Sequence, residues 1–224
     1  MERIVEPELM DEAEQAQAYA EADFSEPNTK FLEFYREHFG EDAIKGKVVD
    51  LGCGPAEIAF SMVASYPDCE VVGVDGAPAM LAPARARKAL GEDVCPGAER
   101  LSFVVETLPF FELEGAPFDI IISNSLLHHL HDPAAHWDTV KALGAPGTRV
   151  FVMDLFRPNS TEDADALVAQ YAVGQPEVLR RDFYHSLLAA FRPDEIREQL
   201  EAAGLEGFEV RVASDRHVLI AGQL

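Results

Sequence analysis

Val48-Val49-Asp50-Leu51-Gly52-Cys53-Gly54-Pro55-Ala56 reads as a buried strand that ends near an acid and runs into a glycine turn. Glycine at 52 and 54 opens positive φ to the backbone and removes the Cβ that would hold a ligand away. Pro55 lacks an N–H and suits the first turn of a following helix. Twenty-five residues beyond Asp50, a second apolar run, Glu70-Val71-Val72-Gly73-Val74-Asp75, also stops at an acid. A glycine loop after one strand, with a carboxylate on the tip of the next, is the way doubly wound α/β sheets hold a nucleoside. The acid accepts hydrogen bonds from the ribose hydroxyls.

The rest of the chain alternates in the same sense. Lys47–Leu51, Glu70–Asp75, Leu101–Val105, Phe118–Ser123 and Thr148–Asp154 are expected strands, with helices at Ala56–Ser65, Pro78–Leu90 and Asp132–Leu143. Prolines 78 and 133 open two of these helices. Strands alternating with helices predict a parallel sheet covered on both faces. A later helix, Pro193–Ala203, is stopped by Gly204. Gly207–Ala213 and Arg216–Ala221 meet at Ser214-Asp215, which predicts an antiparallel hairpin with a two-residue turn. Ahead of the first strand, Glu8–Ala22 reads as a helix, and Asn28 is placed to cap a second one ending at Phe39.

The 224 residues carry 40 acids against 18 bases, a formal net charge of −22. Nucleic acid is disfavoured as a partner, because a phosphate backbone needs a basic footprint. No apolar run reaches membrane-spanning length, and the acidic start, Met1 to Glu6, has no secretory apolar region. A cytoplasmic protein is expected. Cys53, Cys69 and Cys95 are odd in number and lack metal-ligand spacing, so neither a disulfide framework nor a zinc site is expected.

A dinucleotide fingerprint requires a third glycine, where this chain has Glu57. An anionic side chain at a helix N-terminus opposes a pyrophosphate. The segment instead resembles the Asp-x-Gly-x-Gly signature of the class I S-adenosylmethionine-dependent methyltransferases, with Ala56 replacing a commoner glycine. The resemblance runs strand by strand over residues 45–222. It implies a doubly wound, seven-stranded, mostly parallel Rossmann-like sheet whose last strand inserts antiparallel beside the fifth. It also implies an N-terminal helical cap over residues 1–44, a cofactor-binding domain over 45–224, and a helical cap insertion over 158–192. The expected cofactor is S-adenosylmethionine, leaving as S-adenosylhomocysteine.

Residue by residue, the resemblance puts Asp50, Gly52, Cys53 and Gly54 beside the methionine part of that cofactor and Asp75 on its ribose. Gly76, Ala77 and Met80 follow Asp75 toward the adenine, although Met80 could equally be core packing. Glu106-Thr107-Leu108-Pro109-Phe110 resembles the acid-then-Leu-Pro-Phe segment that meets the adenine amino group. Asn124 leaves the fourth strand. Its successors, Ser125-Leu126-Leu127-His128-His129-Leu130-His131, resemble the Leu-His-His-Leu segment of small-molecule methyltransferases and not the Pro-Pro-aromatic one of amino-methylating relatives. None of the three histidines makes the i,i+4 pair of a zinc helix, and a turn is expected to scatter them, so no metal is expected.

The acceptor side rests on residue chemistry alone. His129, Tyr19, Asp154 and His185 are the candidate catalytic groups, any of which could serve as a base where the acceptor must lose a proton. Asp23 and Phe24, Arg157, Arg181 and Tyr184 are the candidate substrate contacts. Tyr19 and Asp23 stand four apart, on one face if helical. Arg157 could pair with Asp154 or hold a carboxylate. The expected activity is methyl transfer to a small molecule. A non-catalytic cofactor sensor would share the same loop, and an NAD-dependent enzyme is disfavoured by Glu57. Acceptor atom and oligomeric state stay open.

Overall fold

The computed structural model describes residues 1–41 and 44–224, so residues 42 and 43 of the expected cap lie outside the described residues. β-branched runs form the central strands: β1 (Gly46–Leu51), β2 (Cys69–Asp75), β3 (Leu101–Val105), β4 (Ile120–Asn124) and β5 (Arg149–Leu155). With β6 (Glu209–Val212) and β7 (His217–Gln223) they make one seven-stranded sheet of order β3-β2-β1-β4-β5-β7-β6. β1 through β5 pair in parallel, and β7 enters antiparallel against β5, with Phe151 opposite Ala221. The expected doubly wound sheet is therefore present, and its order reverses between β1 and β4.

Alternate residues of each strand feed two cores, as a period of two requires. Val48, Ile120, Ile122, Phe151 and Met153 face one side, where α3 (Glu57–Ser65) supplies Ile58, Phe60 and Met62. Val49, Leu51, Ile121, Val150 and Val152 face the other, against α5 (Ala134–Leu143) and α8 (Pro193–Ala203). Trp137 of α5 is fully buried there. α4 (Pro78–Lys88) opens on its proline, and α8 ends at Gly204 in the left-handed region, φ +73.

Several boundaries differ from the sequence expectation. α1 spans Ala13–Glu21, because residues 1–12 lie outside helix and strand and spend polar groups on other segments. The Arg3 side chain donates to the carbonyls of His128 (2.9 Å) and Leu130 (2.8 Å), and Ile4 N–H donates to Leu188 O. α2 spans Ser25–Phe39, so Asn28 sits inside the helix and caps nothing; the Asp23 carboxylate instead accepts from Ser25 N–H at the helix start. Nor is α2 a cap over the sheet's edge. Phe31 and Tyr35 are buried against Phe151 of β5, which makes it a layer of the core. The hairpin turn is three residues long, Ser214–Arg216, with Ala213 N–H donating to His217 O and Ser214 Oγ accepting the N–H groups of Arg216 and His217.

α6 (Thr161–Tyr171) and α7 (Glu177–Ala189) bury their own apolar faces against each other and Leu155, above the carboxyl ends of the strands. Among the described residues, no helix is long and apolar enough to cross a membrane.

Candidate active site

The carboxyl ends of the parallel strands open into a cavity of about 640 Å³, at the point where the strand order reverses. Open α/β sheets bind ligands at that point. The glycine loop forms its floor. Gly52 and Cys53 donate their N–H groups to Val74 O at 2.8 and 3.0 Å, which locks the loop to β2. Gly52 holds φ +69, and a Cβ there would stand 2.7 Å from Leu126, so the close approach needs glycine. Ala56, in the place of the commoner glycine, also takes a left-handed conformation, φ 65. Cys53 is no thiolate: burial pushes its thiol well up, and Sγ donates to the carbonyl of Gly54.

Asp50 and Asp75 stand side by side on this floor. Asp75 accepts from Gly54 N–H and Ala77 N–H at 2.9 and 2.8 Å. Burial raises its carboxyl even so. Asp50 is pushed up to about 8 by burial and by Asp75. Such a pair suits a guest that brings hydroxyl donors and positive charge. It is unsuited to a phosphate. Asn124 Oδ1 is buried in the same wall without a hydrogen-bond partner among the described residues. Gly76, Met80, Glu106 and Thr107 also line the cavity, whereas Ala77 is buried beneath it and contributes only its N–H. Glu57 begins α3, lines the cavity, and meets Arg87 at 2.6 Å.

The far wall comes from the caps. Tyr19, Asp23 and Phe24 line it, with the Tyr19 and Phe24 rings 4.6 Å apart. Tyr19 and Asp23 do not share a helical face, because the chain leaves the helix at Ala22. Burial and Asp75 push the Tyr19 phenol up to about 12. From α7 the lining residues are Leu179, Asp182, Phe183 and Ser186, an i, i+3, i+4, i+7 stripe. Arg181, Tyr184 and His185 lie off that stripe and are not among the lining residues. Arg181 and His185 are exposed, and Tyr184 packs between α6 and α7. Arg157 is also turned away. It is buried, donates to Ala190 O at 2.9 Å and meets Glu195 at 2.5 Å, not Asp154.

Asp154 does not face the cavity either. It lies under the 3-10 turn Leu127–His129, where it accepts from Leu127 N–H at 2.7 Å and sits 2.5 Å from His128 Nδ1. Burial pulls His128 down, but Asp154 and then Glu6 more than reverse this and hold it above its ordinary value. His129 goes the other way, to about 3, through burial and the neighbouring His128. The histidines are not scattered as the sequence suggested. The His128 and His129 rings lie 4.3 Å apart and both line the cavity, while His131 turns outward to Glu6 O and Glu8.

Residues missed from sequence include His128, Glu8 and Leu9 of the N-terminal segment, and Arg216 and His217 of the hairpin. The α7 stripe was legible from helical spacing. Nothing local in the sequence tells that the hairpin or residues 1–12 reach the site. Among the described lining residues, eight are acidic and Arg216 is the single Lys or Arg. Its guanidinium stacks on Tyr171 and pairs with Asp215 at 3.2 Å.

Comparison with known proteins agrees with this geometry. The family model described as "Methyltransferase domain" matches residues 17–210. Trans-aconitate 2-methyltransferase of Methylobacterium radiotolerans is 38% identical over 99 residues, 44% of this chain and 34% of that protein. Ubiquinone biosynthesis O-methyltransferase of Acinetobacter baylyi is 29% identical over 175 residues, 78% of this chain and 69% of that protein. The chain thus spans half or less of the trans-aconitate enzymes it matches. Among solved structures, a putative S-adenosylmethionine-dependent methyltransferase of Methanococcus maripaludis superposes with a TM-score of 0.70 at 16% identity, covering 98% of this chain and 97% of that one. One from Aquifex aeolicus gives 0.66 at 13%, covering 94% and 97%.

Proposed function

The chain belongs to the methyltransferase-domain family, and from that premise we propose that it transfers a methyl group from S-adenosylmethionine to a small acceptor that is neutral or cationic. The observation that carries the acceptor class is the charge of the cavity: beyond Asp50, Asp75 and Glu106, which the cofactor would take up, and Glu57, paired with Arg87, it is lined by Glu8, Asp23, Glu26 and Asp182, and Arg216, the single Lys or Arg among the described lining residues, is already committed to Tyr171 and Asp215. A carboxylate anion such as the aconitate named for two relatives would meet repulsion and, among the described lining residues, no free Lys or Arg. The same field, and the net charge of −22, argue against nucleic acid.

The bound cofactor supplies an electrophilic methyl on a cationic sulfonium. Asp75 would accept from its ribose hydroxyls, Asp50 would face its charged methionine end, and Met80, Glu106 and Thr107 would flank its adenine. Asn124 offers its unpaired oxygen beside them. The caps orient the acceptor and exclude water from the transfer. Asp50, at about 8, would face the methionine end of the cofactor, and Tyr19 and the paired histidines among the described lining residues are not free bases poised near neutrality. Tyr19 keeps its proton, His129 takes one only near pH 3, and His128 is held by Asp154.

The test is turnover. S-adenosylhomocysteine release is measured with amines, thiols, phenols and polycarboxylates as acceptors, beside calorimetry of cofactor binding. Preference for polycarboxylates overturns the acceptor class. Tight cofactor binding with no turnover on any acceptor favours a non-catalytic sensor.

A further inference from the structure

We propose that Glu6, His128 and His129 form a binding site for a divalent transition metal of the zinc type in the wall of the acceptor cavity. Glu6 Oε1 lies 3.6 Å from His128 Nε2 and 3.3 Å from His129 Nδ1, and all three atoms fall within 4.8 Å of one another. Zinc bonds of about 2.0–2.1 Å at tetrahedral angles place ligand atoms about 3.3 Å apart. The two distances from Glu6 are close to that spacing, and the two histidine nitrogens lie within 4.8 Å of each other.

The hydrogen bonds say which atoms carry lone pairs. His128 Nδ1 is taken by Asp154 Oδ1, so that nitrogen bears the proton and Nε2 is left to face Glu6. His129 Nδ1 is buried with no hydrogen-bond partner among the described residues. Glu6 Oε1 is likewise buried and unpartnered, on a side chain only 9% exposed. Two imidazole nitrogens and a carboxylate oxygen therefore converge out of water, with none of the described residues between them. Buried polar atoms are rarely left so, and 3.6 Å is too long for a proton shared between His128 and Glu6 to satisfy them. A cation bonded to all three would.

The surroundings are built for such an ion. A ligating histidine usually donates its other ring N–H to a carboxylate, which fixes its orientation and strengthens it as a ligand. Asp154 does this for His128 and is itself pinned by Leu127 N–H and Leu155 N–H at 2.7 Å each. Glu6 is fixed by its own neighbours: its carbonyl meets His131 Nε2 at 2.7 Å, and Arg3 holds the segment to the carbonyls of His128 and Leu130. Three protein ligands leave a fourth position open, the pattern of catalytic zinc sites. His128 and His129 line the acceptor cavity, so an acceptor oxygen or sulfur can take that position. A metal there lowers the pKa of what it binds, help that Tyr19, which keeps its own proton, does not supply.

The experiment uses the full chain, stripped with a chelator and titrated with zinc by calorimetry, with cobalt(II) as a spectroscopic probe. The expected result is one zinc per chain, a rise in Tm on zinc addition, and the visible absorption of four-coordinate cobalt. Glu6→Gln and His129→Ala should abolish the cobalt spectrum. Asp154→Asn should weaken zinc by about 10- to 100-fold, and His185→Ala should leave it unchanged. Wild-type protein binding zinc no more tightly than His129→Ala, or a zinc-dependent Tm rise that persists in Glu6→Gln, overturns the site. If Asp154→Asn does not fold, the two ligand variants still decide. S-adenosylmethionine binding to the stripped protein, measured alongside, tests the methyl-transfer reading separately, since a metal-free chain that binds the cofactor keeps that reading whatever zinc does.

Discussion

The backbone N–H of Gly54 donates to Asp75 Oδ2 across 2.9 Å, so the acid that ends β2 is fastened to the loop that leaves β1. The other oxygen takes Ala77 N–H at 2.8 Å. One carboxylate thus joins the two segments on which the cofactor floor depends, and each oxygen keeps a lone pair for a guest. The glycine loop and the acid, 21 residues apart in sequence, are a single rigid unit.

Asp75→Ala removes both ties as well as the ribose contacts. S-adenosylmethionine binding should weaken by about 1.5–3 kcal/mol for each charge-assisted hydrogen bond lost. Asp75→Asn keeps one acceptor oxygen and should lose less. Calorimetry on the two variants checks this, and unchanged affinity in Asp75→Ala removes the residue from the cofactor site.

Asp50 predicts a proton released on cofactor binding. Burial and Asp75 put its carboxyl at about 8, so at neutral pH the empty site holds the proton. A cationic guest stabilises the carboxylate, lowers that pKa and expels the proton. Affinity should therefore rise with pH through the neutral range, by at most about tenfold per unit, and flatten near the pKa of the empty site. Calorimetry in buffers of different ionisation enthalpy measures the released proton directly. A binding enthalpy independent of buffer, with no slope in affinity, contradicts the assignment, and Asp50→Asn should abolish the slope.

The sheet and its cofactor edge were legible because each strand is a local apolar run and the loop is a local motif. Gly52, Gly54 and Asp75 reach the floor through pairings that neighbouring parallel strands impose. The acceptor side was less legible because its residues meet only in three dimensions. Arg157 looked like a site residue on its position after β5, yet the packing of α8 turns it toward Glu195. Arg181, Tyr184 and His185 were singled out for their chemistry, where the helical stripe through Leu179, Asp182, Phe183 and Ser186 decides what faces inward. Glu6 comes from a segment with no motif of its own, 122 residues before His128.

Arg157 is expected to matter for stability and not for binding. It joins the end of β5 to Ala190 O and to Glu195, whose carboxylate also caps α8 by accepting Arg192 N–H at 2.7 Å. Arg157→Met keeps the buried stem and removes the charged bonds. With Glu195 36% exposed, the loss should be about 1–3 kcal/mol, the range for hydrogen bonds to charged groups. Denaturant unfolding measures the loss. A changed cofactor affinity or acceptor KM in a folded Arg157→Met variant would return the residue to the site.

His136 sets part of the acid limit of the fold. Its ring is fully buried against Trp137, at 4.7 Å, and neither nitrogen has a hydrogen-bond partner among the described residues. Burial lowers its pKa to about 4, from 6.5 in the unfolded chain. The unfolded state therefore binds more protons between those values, and stability falls as pH drops through that window. His129 and His217, lowered to about 3 and about 4, act in the same direction. At pH 5 the contribution of His136 alone is about 2 kcal/mol. His136→Leu fills a similar volume and leaves no polar atom to satisfy, so near pH 7.5 it should match or exceed the wild type. At pH 5 it should exceed the wild type by about that further 2 kcal/mol. Unfolding curves at the two pH values give the comparison. An equal difference between the proteins at both would mean that His136 does not titrate with unfolding.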